Sequence, residues 1–183
     1  MNAFRLPMSR HLARLRGDQD GVSSVEFAML LPLMLTLYLG AVEISQAVGI
    51  DRKVTLTSRT LADLASQVSS IASSDMSNIL NASSWVMSPY DPSRLKVTLS
   101  EITIDNSGNA KIAWSCTQGG TAHSVGTSVA LPAALNVANT SLIWGEAAYL
   151  YKPAIGYVVT GTLNLSDQIY MRPRLSDSVS GSC

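Results

Sequence analysis

Histidine, cysteine and charge are all scarce in this chain. Its 183 residues include two histidines and two cysteines, and only 14% are charged. There is no C-x-x-C, no H-E-x-x-H and no spaced carboxylate cluster, so neither a metal nor another cofactor is expected. No G-x-x-x-x-G-K-[ST] is present to cradle a nucleotide phosphate. The many serines never fall in a G-x-S-x-G context. His123, beside Ser124, reads as loop chemistry without function. No constellation supports an enzyme. Formal net charge is zero, so no basic excess argues for nucleic acid and no acidic tail for a solvating segment. An internal repeat and a long linker are also missing, and the length suits one domain plus an anchor.

What is abundant is apolar: 46% of residues. From Phe27 to Val42 runs FAMLLPLMLTLYLGAV, 16 residues without a charge. A bilayer needs roughly 20; Val22–Val25 extend the run if Glu26 is accommodated, and Ile44–Ile50 if Glu43 is. Arg5, Arg10, Arg14 and Arg16 precede it, with His11 among them. Arg52, Lys53 and Arg59 follow, offset by Asp51 and Asp63. Basic residues beside a membrane segment stay in the cytoplasm, so the expected topology is a single pass with the N-terminus inside and the rest outside. Leu39-Gly40-Ala41 is the nearest approach to a secretory cleavage site, and Glu43 follows it. Neither a secretory signal nor a plain anchor explains Glu26, since an acid in a membrane helix usually has a partner. Pro32 removes a backbone hydrogen bond and is expected to kink or locally melt the helix. Glu43 is expected to mark the outer interface, paired with Arg52 or Lys53. Outside the cytoplasm, Cys116 and Cys183 pair by default; the alternative is two unrelated thiols.

Gly21, then Glu26-Phe27, behind a basic leader and ahead of an apolar helix, resembles the cleavage site of type IV prepilins. Cutting after Gly21 would make Val22 the first mature residue, Glu26 the fifth and Phe27 the sixth. The resemblance extends to TadE/TadG-like minor pilins (pseudopilins) of Tad/Flp pilus systems, in Val25-Glu26-Phe27-Ala28, Leu30-Leu31-Pro32, Gly40 and Glu43, then Arg59 and Asp63-Leu64. Tyr149-Leu150-Tyr151-Lys152-Pro153 and Tyr170-Met171-Arg172-Pro173-Arg174 look like late strands of that family. The middle of the chain, roughly 72–140, carries no such motif.

This likeness implies several things. Residues 1–21 would be a leader, 22–48 the transmembrane and assembly helix, 49–72 its periplasmic continuation and 73–183 the head. Glu26 and Phe27 would serve assembly, with Glu26 meeting the new α-amino group of Val22 on a neighbouring subunit. Such a pairing would offset a large desolvation cost. The plainer alternative is an acid favoured by the helix N-terminus, with Gly21 a simple helix start and Ser23 or Ser24 its N-cap. Implied partners are prepilin peptidase, other major and minor pilins, the inner-membrane assembly platform and membrane lipid. The implied location is the bacterial inner membrane, then the pilus or cell surface, with a role in cell adhesion. The rival expectation is an uncleaved, membrane-anchored binding module outside the cytoplasm.

Beyond the anchor, Val54, Leu61, Leu64, Ala65, Val68 and Ile71 recur at helical spacing to about Ser73. One helix, or two broken near Gly49, fits equally. Residues 75–82 suit a short helix. Leu95–Asp105 and Lys111–Thr117 flank the turn signal Asn106-Ser107-Gly108-Asn109 and predict a hairpin. Gln118–Gly126 reads as a loop and Ala130–Asn136, with Pro132, as a helical turn. Ser141–Tyr151 and Ile169–Arg174 are expected strands, joined by a connection over Lys152–Asp167 with a short helix or loop around Tyr157. Trp144, Tyr149, Tyr151, Tyr157 and Tyr170 read as core or surface-adhesive residues, and their strand spacing favours the core. The predicted class is α+β: a long N-terminal helix packed on an antiparallel sheet, pilin-like.

Overall fold

The computed structural model describes residues 20–153, 156 and 160–183. The leader before Asp20 and the connection around Tyr157 lie outside the described residues. One helix, α1 (Asp20–Ser66), runs for 47 residues, roughly 70 Å at 1.5 Å per residue. It passes through Pro32 and Gly49 without a break in helical structure, so it is one helix and does not melt at the proline. Thr36 Oγ1 donates to Pro32 O at 2.8 Å, using a carbonyl next to the missing amide.

The remaining elements are β1 (Ser70–Ile71), α2 (Ser73–Met87), β2 (Leu95–Ile104), β3 (Ala110–Gln118), β4 (Thr140–Tyr151), β5 (Leu163–Met171) and β6 (Ser180–Gly181). β3, β2, β4 and β5 lie side by side in that order, all antiparallel. β1 and β6 form a separate two-stranded parallel pair. This is the expected α+β architecture.

The upper half of α1 buries positions 50, 54, 57, 58, 61, 62, 65 and 66, a stripe at three- and four-residue spacing. It lies on β4 and β5, with α2 alongside. Val54, Leu61 and Ala65 belong to that stripe, while Leu64 and Val68 are exposed. Close approach is possible because the facing residues are small. A Cβ on Gly145 of β4 would sit 2.7 Å from Ser58 O and 3.1 Å from Ala62 Cβ. Alternation in β2 sends Val97 and Leu99 to the helix face and Ile102 and Ile104 to the other face. There a second cluster, Ile102, Ile104, Ile112 and Leu142, is covered by Val129, Leu131 and Leu135.

Four details differ from the sequence expectation. α1 ends at Ser66, not near Ser73: Arg174 N–H donates to Ser66 O at 2.9 Å, and Ile71 is buried as a strand residue. α2 extends to Met87, because Ser83 and Met87 are buried against the core. The last long strand is Leu163–Met171, not Ile169–Arg174, so the connection from Lys152 is shorter than expected. Pro173 has no N–H with which to continue the ladder. Ser23 and Ser24 lie inside α1 and are not N-caps.

The turn between β2 and β3 follows its composition. Asp105 Oδ1 accepts from the N–H of Ser107 and of Asn109, both at 2.8 Å, and Gly108 takes φ +80°. Leu135 and Asn136 N–H both donate to Pro132 O, which closes the expected single turn.

Candidate functional site

The lower part of α1 is the candidate site. From Val22 to Tyr38 every large apolar side chain is exposed. There are eleven of them; leaving these in water would cost on the order of 10–20 kcal/mol. The helix is long and apolar enough to cross a membrane by length and composition. From Val22 to Val42 it spans roughly 30 Å, the thickness of a bilayer's hydrocarbon core.

Gly21 and Val22 are exposed and helical. A Cβ added at Gly21 would meet nothing within 4 Å. Glu26 is one turn on, exposed, and its carboxylate has no partner among the described residues. Phe27 beside it is exposed as well. Pro32 sits near the middle of the exposed stretch.

Glu43 has a different setting. It is 2% exposed, and its Oε1 accepts from Gly156 N–H at 2.7 Å. Tyr151 Oη donates to its backbone carbonyl at 3.3 Å. Among the described residues no ion pair joins it to Arg52 or Lys53; Lys53 Nζ donates instead to Val86 O at 2.9 Å. The acid expected at an open interface is thus part of the seat where the head meets the helix. Sequence position alone missed this, because its partners come from more than a hundred residues further along. Higher up, Asp63 pairs with Arg174, which joins two segments that resembled the same family separately.

Cys116 and Cys183 form a disulfide. It closes a tail that is fixed at several other points. Trp114 Nε1 donates to Val179 O at 2.6 Å. Val179 N–H donates to Glu101 Oε1 at 2.7 Å, and Ser141 Oγ donates to Asp177 O at 2.6 Å. Burial pushes the Glu101 carboxyl above the ordinary glutamate range, while the hydrogen bond from Val179 N–H and the nearby Ser141 and Trp114 side chains act the other way.

The face of the sheet away from α1 holds a second group. His123 Nε2 lies 2.6 Å from Glu146 Oε2, and its ring stacks on Trp144 at 4.6 Å. Tyr170, its cross-strand neighbour, also stacks with Trp144, at 5.7 Å between ring centroids. Trp144, Tyr149 and Tyr151 are buried, as expected of core aromatics, while Tyr170 is half-buried. His123 is therefore tied to the sheet rather than idle in its loop. Among the described residues no group of three metal-ligating side chains occurs.

No curated protein and no solved structure matches the chain. Residues 21–63 match the TadE-like protein family, a stretch that takes in Gly21, Glu26, the exposed apolar half of α1 and Glu43.

Proposed function

We propose that this chain is a minor pilin (pseudopilin) of a Tad pilus, cleaved after Gly21 by prepilin peptidase and assembled through the lower half of α1. The observation that carries this is a helix whose first half is apolar and uncovered while its second half packs one face against the head. In the membrane, lipid covers that half. After assembly, helices of other pilins take the place of lipid. In this scheme residues 1–21 are the leader, the N-terminus is cytoplasmic and the head lies outside.

Glu26 is the register device. Once Val22 carries a free α-amino group, positive near neutral pH, the Glu26 carboxylate of an adjacent subunit is its natural counter-charge. In an apolar setting that match is favoured because either charge alone would be strongly disfavoured. No constellation for catalysis is involved: the role is structural, in priming, capping or supporting the pilus.

N-terminal sequencing and intact mass of the protein from membranes test the cleavage. The expected mature chain begins at Val22. A chain still beginning at Met1 in cells with an active prepilin peptidase would overturn the proposal in favour of an uncleaved, anchored binding module. Glu26→Ala is expected to leave cleavage and the folded head intact and to reduce pilus number; unchanged piliation would reject its assembly role.

A further inference from the structure

We propose that the sheet face turned away from α1 carries a saccharide-binding cleft, built on β2, β4 and β5 and independent of the assembly helix. Among the described residues, Val129, Leu131 and Leu135 cover one part of that face, over the second core. Another part is an open cleft of about 590 Å³, within the size range of small-molecule sites.

Its floor is set by strand register. Lys96, Ala148 and Ser166 form one row across the three strands, and Thr98, Glu146 and Gln168 form the next. Neighbouring strands lie about 4.8 Å apart, and rows two residues apart are separated by about 6.7 Å. The resulting grid, roughly 10 by 7 Å, matches the footprint of a pyranose ring with its hydroxyls. The Ala148 methyl offers a small apolar patch for the C–H face of a ring. Around the cleft stand one ammonium, the two carboxylates of Glu146 and Asp167, one carboxamide and three hydroxyls. Both signs of charge are present among neutral donors and acceptors, which suits a polyhydroxylated ligand that both donates and accepts.

The polar groups are held in place before any ligand arrives. Gln168 Oε1 accepts from Trp144 Nε1 at 3.2 Å, which leaves the amide NH2 of Gln168 for the cleft. One oxygen of Glu146 is taken by His123, which leaves the other as an acceptor. Trp144 stacks with the rings of both His123 and Tyr170, which steadies the indole that holds Gln168. Gly120 forms part of the wall, and a Cβ there would come within 3.0 Å of Thr117 Oγ1. Fixing such groups in advance lowers the entropy lost on binding.

The test is calorimetric titration of the full chain, in a detergent without a sugar headgroup, with maltotriose and with triacetylchitotriose. The two probes separate a plain hexose chain from an acetamido-bearing glycan. Saturable binding of either, at a dissociation constant in the millimolar range or below, is the expected result. Ser166→Trp places a ring in the cleft from an exposed position, and Gln168→Ala removes the presented amide. Each is expected to weaken binding about tenfold or more with the far-ultraviolet circular dichroism unchanged. Absence of saturation by both sugars overturns the proposal. So does binding that Ser166→Trp leaves intact. Cleavage after Gly21 and piliation are read separately, so failure of the cleft and failure of the pilin assignment are distinguishable.

Discussion

At the scale of single residues, the most constrained positions are where the chain has no room or no water. At Gly145 there is no room for a side chain between sheet and helix, and the atom a Cβ would strike is a backbone carbonyl. Gly145→Ala is therefore expected to destabilise the head by about 1–3 kcal/mol, measured as a lowered midpoint in urea unfolding. Glu101 makes a prediction about pH. Its folded carboxyl titrates above its unfolded one, chiefly through burial. Its contribution to stability is therefore full below the unfolded value and is lost as pH rises through the folded value. Thermal unfolding of the native chain and of Glu101→Gln, followed from about pH 4 upward, should show the native chain losing ground to the variant as pH increases. A difference in melting temperature that does not change with pH would refute this. Neither position announces itself in the sequence: Gly145 lies inside an apolar strand, and Glu101 sits among alternating residues as any surface acid would.

At the scale of elements, local pattern located most of the fold, and long-range contacts set what it missed. The β2–β3 hairpin was legible because alternation and the Asp105–Asn109 turn agree. β5 was half hidden, since Asn164, Ser166 and Gln168 make its outward side polar and Asp167 interrupts its inward side. The end of α1 was illegible because Ala65, Val68 and Ile71 continue a helical spacing past Ser66. What stops the helix is Arg174, whose N–H takes the Ser66 carbonyl from the far end of the chain. The disulfide closes a loop of 67 residues and is expected to contribute about 4 kcal/mol. Reduction should lower the unfolding midpoint accordingly and release β6 before the four-stranded sheet. Hydrogen exchange of the Val179 and Ser182 amides, which donate to Glu101 and Ile71, would report that order. Retained protection at both amides after reduction would rule it out.

For the whole molecule, the sequence already separated an apolar half from a folded half, because charge is absent from Phe27 to Val42 and common on either side. It did not reveal where the two halves meet. Glu43 looked like an interface marker, yet it is buried at the junction and holds the chain at Gly156. Glu43→Ala is expected to loosen the head from the helix by about 1–3 kcal/mol, the cost of leaving the Gly156 N–H without its acceptor. The measurement is protease sensitivity of the 152–162 connection, which should rise while the Cys116–Cys183 bond remains formed. Unchanged cleavage kinetics would show that Glu43 does not secure the seat.

The unbroken passage of α1 from its uncovered half into the head has a consequence for assembly geometry. With no hinge between the two halves, rotation of the lower helix about its axis carries the head with it. Each residue of an α-helix advances the chain by about 1.5 Å and turns it by about 100°. If neighbouring subunits slipped by one residue along their helices, the head would climb only slightly but swing through more than a quarter turn. The face bearing the cleft would then point inward or sideways rather than out. In a fibre assembled as proposed, the azimuth of every head would be dictated by how its helix is keyed to the next one, and a charge pair near the tip of α1 would govern what the surface of the fibre presents.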